Sequence, residues 1–230
     1  TKDNYNMLVH NMRFFHFWQY LTDLPEDEYR YVIHTDTRDL VFQTNPSDWF
    51  EDLMDGEQLS DDYYGFASII APSENVLIRH EPWVTGMANK LFGPYVVEML
   101  NDKLALNVGS FAGKQRNFAD MCINIYQTSL SVNQQFLPAL GDQPAFDFLV
   151  NTSFSETTHI VEPSSGWSCQ CGTMIPEQFR DKQVDTTNIA ITEDGVVTNF
   201  GEPFVILHQY DRCDEFVGKV NARYSTVVVA

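Results

Sequence analysis

Two aspartates follow a stretch that is typical of a buried strand. The run 29–35 is rich in β-branched and aromatic residues, and Asp36 and Asp39 come directly after it. Open α/β sheets usually bind ligands at the carboxyl ends of their strands. Carboxylate oxygens bind Mg²⁺ or Mn²⁺ and leave coordination positions free for diphosphate oxygens. The pattern therefore predicts a metal site that can stabilise a departing nucleotide, while a solvated turn with Asp39 as a cap is the alternative that this spacing allows.

The charge of the chain favours cations as partners. Its 230 residues contain 14 Lys and Arg against 32 Asp and Glu, a formal net charge of −18. Residues 23–62 alone contain 13 acidic side chains and two arginines, Arg30 and Arg38. Such a surface repels phosphate backbones and anionic membranes, so we expect no nucleic-acid partner. The apolar runs fall far short of the roughly 20 residues that span a bilayer, so no membrane span is expected either.

The segment that contains the aspartates has a wider pattern. It reads Tyr-Val-Ile-His-Thr-Asp-Thr-Arg-Asp-Leu-Val-Phe-Gln over 31–43, followed by Asn45-Pro46. This resembles the metal-binding segment of GT-A glycosyltransferases, which is a hydrophobic strand, Asp-x-Asp, an apolar run, and Asp or Asn before Pro. The second aspartate stands one position later here, as the variant Asp-Thr-Arg-Asp. The resemblance implies a Mn²⁺ or Mg²⁺ ion held by Asp36, by Asp39 or by both.

Two further segments resemble motifs of the same family, in the expected order. The turn with Asn107, Gly109 and Gly113 is similar to the one that borders the donor sugar, where small residues let the backbone approach a ligand. An ordinary strand-to-helix turn would contain the same glycines. Asp142-Gln143 looks like the pair that opens a helix on the acceptor side. The resemblance implies that Asp142 is a base or binds acceptor hydroxyls, and a helix N-cap is its alternative.

The last such segment is an apolar strand over 204–208. It ends in His208, which by the resemblance is a third metal ligand, and Arg212 follows within reach of diphosphate oxygens. A surface or core histidine and a surface ion pair are the simpler interpretations of these two residues. Arg38, which stands between the two aspartates, is predicted to orient the site or to stabilise charge in it.

The elements that must position these residues alternate between helix and strand. An amphipathic helix over 4–21 presents Met12, Phe15 and Tyr20 on one face. The remaining predicted elements are strands over 29–35, 63–70, 104–108, 158–161 and 204–208, a hairpin over 189–197, a short helix after Pro46, and helices over 82–99 with a break at Gly93-Pro94, 114–130 and 142–150. The segment 163–176 is predicted to be a loop, in which Trp167 could stack on a sugar.

This order predicts a single α/β domain over residues 1–230, with a GT-A-like, Rossmann-like arrangement of a central mixed, mostly parallel sheet flanked by helices. GT-A domains usually begin with a strand whose loop binds the nucleotide base, whereas a helix comes first here. That strand either lies outside this chain or has been lost. Four cysteines fit neither a disulfide scaffold nor a zinc site, so we expect free thiols.

The sequence therefore predicts a glycosyltransferase that moves a sugar from a nucleotide-diphosphate-sugar donor to a hydroxyl acceptor, such as a glycan, with a divalent metal. The alternative is a non-catalytic acidic α/β binding or structural domain with a degenerate metal site. A nucleotidyltransferase would need a Gly-rich phosphate loop with Lys or Arg near its start, and the sequence has none. The compartment stays open between the cytosol and the Golgi lumen for a soluble domain.

Overall fold

The computed structural model describes residues 2–26, 28–55, 68–130 and 141–224. Its helices, in chain order, are α1 (Lys2–Thr22), α2 (Pro46–Asp55), α3 (Pro82–Phe92), α4 (Pro94–Leu100), α5 (Gln115–Leu130), α6 (Asp142–Val150), α7 (Cys171–Met174), α8 (Glu177–Arg180) and α9 (Asp214–Tyr224). The helices predicted over 4–21, 114–130 and 142–150 are confirmed. Gly93, at a φ of 84°, separates α3 from α4 as its sequence context predicts. None of these helices combines the length and the apolar character that crossing a bilayer requires.

The strands are short, with one exception. They are β1 (Val32–Ile33), β2 (Leu40–Phe42), β3 (Ile69–Leu77), β4 (Leu104–Leu106), β5 (Ala112–Gly113), β6 (Thr158–Val161), β7 (Ser168–Gln170), β8 (Ile189–Ile191), β9 (Val197–Asn199), β10 (Glu202–Pro203) and β11 (Ile206–His208). The mixed α/β class is therefore confirmed, and so is the hairpin predicted over 189–197, which forms β8 and β9.

Three sheets organise these strands. The first has the order β1-β5-β3-β4, with β6 also paired to β3, the second is β10-β9-β8, and the third is β2-β11-β7. The pairing is mixed, as predicted, but it is not mostly parallel. Among the described strands, only β3 with β6 and β11 with β7 pair in parallel. In the first sheet, β1 with β5, β3 with β4 and β3 with β5 are all antiparallel pairs.

Strand β3 is the centre of the first sheet, and eight of its nine residues are buried. The sequence predicted a strand over 63–70 that stops before Pro72. Residues 63–67 lie outside the described residues, and the observed strand continues through Pro72 to Leu77. The Pro72 carbonyl accepts the Asn107 N–H at 2.8 Å, one residue past the end of β4, so the missing N–H of Pro72 falls at the end of that ladder and is tolerated.

Helix α1 packs along α5 over one face of the first sheet. Its buried residues are Phe14 and Leu21, with Trp18 partly buried against the same core, a spacing of four and three residues. Tyr20, predicted on the buried face, is 58% exposed. The buried stripe is therefore offset from the predicted one, and this offset turns Arg13 toward the interior of the molecule.

The segment predicted as a loop over 163–176 is ordered structure instead. It contains strand β7 and helix α7, and Trp167 is fully buried with its Nε1 donating to the Ser110 carbonyl at 2.9 Å. Trp167 is therefore a packing residue, with no exposed face on which a sugar could stack. The sequence pattern did not indicate β7, because Ser168, Cys169 and Gln170 are not typical strand residues. They form a strand by pairing with β11, and all three are buried. The four cysteines are free, as expected.

Candidate metal centre and substrate cleft

Three side chains from different elements converge at one edge of the third sheet. Asp36 follows β1, Asp39 precedes β2, and His208 ends β11. Because β2 and β11 are antiparallel with Leu40 opposite His208, Asp39 lies beside the imidazole. The Asp39 carbonyl also accepts a hydrogen bond from the Gln209 N–H at 2.7 Å. The pairing of two short strands therefore brings together residues that are 169 positions apart in the chain.

The three side chains form a group that could hold a metal ion, and Asp36, Asp39 and His208 are called the metal group below. One potential ligand atom from each of Asp36, Asp39 and His208 lies within 4.8 Å of the others. His208 Nε2 is 3.2 Å from Asp36 Oδ2 and 3.9 Å from Asp39 Oδ1. Two carboxylates and an imidazole are hard and borderline ligands that suit Mg²⁺, Mn²⁺ or Zn²⁺. The three residues predicted as metal ligands are thus brought together.

Gln170 on β7 fixes the orientation of His208. The ring Nδ1 lies 2.8 Å from Gln170 Oε1, and Gln170 Nε2 donates to the hydroxyls of Ser110 and Ser168, each at 2.9 Å. This arrangement assigns the Nδ1 proton to the bond with Gln170 and directs Nε2 toward Asp36. Since Nε2 then faces a carboxylate, either a proton or a cation must lie between the two groups. The donor set therefore fits a metal ion.

Gly109 makes the close approach of these groups possible. A Cβ at this position would lie 2.5 Å from His208 Cε1, 2.8 Å from His208 Nε2 and 2.9 Å from Asp36 Oδ2. Its N–H is fixed at 2.8 Å from Asn107 Oδ1, and its carbonyl accepts from the Asp36 N–H at 3.1 Å. Any side chain would displace a candidate ligand, so glycine is required here for proximity. Gly113 has a structural position instead, since it lies inside the first sheet and pairs with both β1 and β3.

Arg13 on α1 joins the metal group to Asp142, which the sequence predicts to lie on the acceptor side. Its guanidinium contacts Asp36 Oδ1 at 2.5 Å and Asp142 Oδ2 at 2.8 Å. Burial opposes the charge of Arg13, but the attraction of Asp142 and Asp36 outweighs it and raises the pKa of the guanidinium. The sequence analysis missed Arg13, because the only available signal was a single cation within an aromatic helix face.

The pKa values of the two aspartates that bind Arg13 are shifted in opposite directions. Burial raises the pKa of Asp36, but its contacts with His208 and Arg13 outweigh burial and hold that pKa well below the usual range. For Asp142 burial prevails over Arg13 and raises the pKa. Asp142 is the first residue of α6, and Gly141 holds the N-cap position. Asp36 therefore stays ionised, as a metal ligand must, while Asp142 has the greater affinity for a proton.

A cleft of about 430 Å³ opens beside the metal group. Its lining includes Asp36 and His208 together with predicted residues Asn107, Gly109, Asp142 and Arg212. Glu74, Glu81 and Trp83 also line it, although the sequence analysis did not select them, and Trp83 is 40% exposed. Arg38 is not among the lining residues; its side chain is 87% exposed and lies 3.6 Å from Asp211. The cleft therefore unites most of the candidate residues, while Arg38, Asp39 and Gly113 are not part of its lining.

The likeness of this chain to known proteins is structural. No protein-family model matches the sequence, and no curated protein matches it. Among solved structures, the crystal structure of mouse Xyloside xylosyltransferase 1 in its apo form is similar, with a TM-score of 0.43 and 17% sequence identity. The match covers 85% of this chain and 63% of that chain, so this chain corresponds to less than two thirds of the neighbour's length. At this TM-score and identity the likeness is no evidence for an activity.

Proposed function

We propose that this chain is the catalytic domain of a metal-dependent glycosyltransferase that uses a nucleotide-diphosphate-sugar donor and a hydroxyl acceptor. The observation that carries the proposal is the grouping of Asp36, Asp39 and His208 within 4.8 Å at the edge of a 430 Å³ cleft. Four sequence segments that resemble GT-A motifs supply six polar residues to the cleft lining, namely Asp36, Asn107, Asp142, Gln143, His208 and Arg212. A purely structural metal site would instead be closed by a fourth protein ligand, and none is found among the described residues.

The metal group is the centre of the proposed donor site. A divalent ion held there would neutralise the negative charge that develops on a departing diphosphate. Asp36, Asp39 and His208 hold the ion, Gly109 gives the sugar-phosphate access to it, and Arg212 binds diphosphate oxygens. An acidic protein needs such cations, because an unassisted diphosphate would be repelled by a net charge of −18.

The acceptor is proposed to bind on the Asp142 side of the cleft. Asp142 Oδ1 accepts the Gln143 N–H at 3.0 Å, and Oδ2 is bound by Arg13 at 2.8 Å. Release of Arg13 from Oδ2 would free a carboxylate oxygen for the attacking hydroxyl. Because Arg13 also binds Asp36, one guanidinium connects a residue that would hold the metal ion with the carboxylate that would receive the acceptor. Arg38 retains its predicted orienting role, which it can exert through Asp211, the neighbour of Arg212.

The test is hydrolysis or transfer from nucleotide sugars. The purified chain is incubated with a panel of nucleotide sugars and Mn²⁺, and release of nucleoside diphosphate is measured with and without methyl glycosides as acceptors. We expect release from at least one donor, abolished by a chelator and by Asp39→Asn. Metal binding without release from any donor would instead favour a non-catalytic domain with a degenerate metal site.

A further inference from the structure

A buried carboxyl group on the cleft has no role in the function proposed so far. Glu74, on β3, is 4% exposed and lines the cleft. Its Oε1 accepts hydrogen bonds from Asn107 Nδ2 at 2.8 Å and from Gln143 Nε2 at 3.0 Å. Its other oxygen, Oε2, meets no donor from the described part of the chain. Because Glu74 lines the cleft, a ligand group in the cleft can reach this second oxygen.

The backbone has an unusual conformation at Asn75, the residue that follows Glu74. Asn75 has a φ of 63°, in the left-handed region that non-glycine residues rarely adopt. The conformation is held by the Val184 N–H, which donates to the Asn75 carbonyl at 3.0 Å, and by the Asp185 N–H, which donates to Asn75 Oδ1 at 2.7 Å. It coincides with the interrupted register between β3 and β4. Irregularities of this kind redirect side chains next to active sites.

The partners of Glu74 connect it to both sides of the proposed reaction. Asn107 also fixes the N–H of Gly109, which touches the metal group. Gln143 follows Asp142, the acceptor-side residue. Glu74 therefore lies where the metal-bound leaving group and the attacking hydroxyl would meet. Trp83, exposed on the same cleft, offers the apolar face that a sugar ring packs against.

We propose that Glu74, through Oε2, forms with Gln143, which lines the same cleft, a subsite that binds hydroxyl groups of a sugar seated beside the metal group. This inference rests on the proposed glycosyltransferase function and names the sugar-recognition residues of that site. The hydroxyls belong either to the donor sugar or to a sugar acceptor, since both must approach the same point.

The electrostatics of Glu74 suit a hydroxyl ligand. The pKa of Glu74 is raised to about 7, because burial and the neighbouring Glu81 raise it by more than the hydrogen bonds from Asn107 and Gln143 and the charge of His208 lower it. A carboxylate accepts a hydrogen bond from a sugar hydroxyl, and a carboxylic acid can donate one. The group can therefore bind a hydroxyl in either form. A metal ligand or a diphosphate contact would instead require a charge of fixed sign.

A purely structural role is the competing explanation, in which Glu74 only positions Asn107 and Gln143. Glu74→Gln separates the two, because a glutamine Oε1 still accepts from both amides while an NH₂ group replaces Oε2. Glu98→Gln is the matched control, because Glu98 has the same side chain but is exposed on α4 and is not among the residues that line the cleft. The control should behave as the wild type does.

Calorimetry with Mn²⁺ compares nucleoside diphosphates with their nucleotide sugars, and initial rates are measured with a panel of methyl glycosides. In Glu74→Gln we expect unchanged nucleoside diphosphate affinity and a loss of about tenfold or more either in nucleotide-sugar affinity or in kcat/KM for the acceptor. The first result assigns the subsite to the donor sugar, and the second assigns it to the acceptor.

Three results would overturn the subsite. In the first, Glu74→Gln leaves every constant at its wild-type value; in the second, it weakens nucleoside diphosphate and nucleotide-sugar binding equally, as a structural role requires. The third is a wild-type protein that binds no nucleoside diphosphate in Mn²⁺, which overturns the proposed function and removes the subsite with it. The melting temperatures of both variants are measured alongside, and a folded Glu74→Gln makes each result interpretable.

Discussion

At the scale of single residues, the site depends on side chains that are held by others. His208 is oriented by Gln170, Asp36 is held ionised by Arg13, and Gly109 is small enough to lie between them. Each contact restricts where a candidate ligand atom can lie. Preorganisation of this kind lowers the cost of binding a metal and its diphosphate.

The first prediction concerns Gly109. In Gly109→Ala, the new Cβ would lie 2.5 Å from His208 Cε1, so the imidazole must move. We expect Mn²⁺ affinity, measured by calorimetry, to fall at least about tenfold. The control is Gly218→Ala in α9, where an added Cβ meets nothing within 4 Å. If Gly109→Ala bound Mn²⁺ as the control does, Gly109 would have no part in shaping the metal group.

The second prediction concerns Asp142. In Asp142→Asn the side chain can still accept the Gln143 N–H but cannot take a proton, and turnover should fall at least about a hundredfold if Asp142 is the base. Donor binding should be retained, which calorimetry with the nucleotide sugar would verify. Near-normal turnover in the folded variant would restrict Asp142 to a structural ion pair with Arg13.

The third prediction is a pH dependence that comes from Glu74. Its pKa in the folded protein, about 7, lies above its ordinary value of 4.5, so the folded state binds the extra proton between these values. The associated stability is complete below pH 4.5 and is lost as the pH rises through 7. Glu74→Gln cannot titrate, so its free energy of unfolding relative to wild type should increase by roughly 3 kcal/mol between pH 4 and pH 8.

Denaturant unfolding of both proteins across this range checks the third prediction. Groups other than Glu74 titrate in both proteins, so their contributions largely cancel in the difference. A difference that stays constant with pH would mean that the Glu74 carboxyl group is solvated, with an ordinary pKa.

At the scale of elements, the three-residue strands β2, β7 and β11 position Asp39, Gln170 and His208. Strand β11 pairs with β2 on one side and β7 on the other, so His208 receives Asp39 from one neighbour and Gln170 from the other. The predicted strand over 29–35 is only two residues long as a paired strand, Val32–Ile33. Backbone bonds from His34 to Phe111 and from Asp36 to Gly109 extend its alignment up to the metal group.

Sequence patterns captured the long helices and the residues at strand ends, because periodicity and terminal carboxylates are local signals. They failed for β7 and for the course of β3 through Pro72, since pairing with distant strands overrides local propensity. Glu74 and Arg13 could not be selected for the same reason. Their importance arises from partners 33 and 129 residues away, Asn107 and Asp142.

The fourth prediction is at this scale and concerns β7. In Gln170→Ala, His208 loses the acceptor for its Nδ1, and metal affinity should fall about 10- to 100-fold as the ring loses its orientation. Gln183→Ala is a suitable control, because Gln183 bonds to Met174 and Thr187 instead. Equal Mn²⁺ affinities in the two variants would mean that β7 does not orient the imidazole.

At the scale of the whole molecule, charge and shape act together. A net charge of −18 leaves the protein dependent on cations wherever it binds an anion. The cleft provides Arg13, Arg212 and the candidate metal group within one lining. Diphosphate binding by this protein is therefore expected to depend on metal, whichever sugar, base or acceptor it uses.

The most direct test of this claim is calorimetric titration with pyrophosphate and a panel of nucleoside diphosphates, in Mn²⁺ and in chelator. We expect at least one diphosphate to bind about tenfold or more tightly in Mn²⁺ than in chelator, because the metal ion offsets the negative charges of the site carboxylates and of the diphosphate. His208→Ala should remove that difference while leaving the protein folded. Equal affinities in Mn²⁺ and in chelator for every diphosphate that binds, or binding that His208→Ala leaves unchanged, would contradict the account.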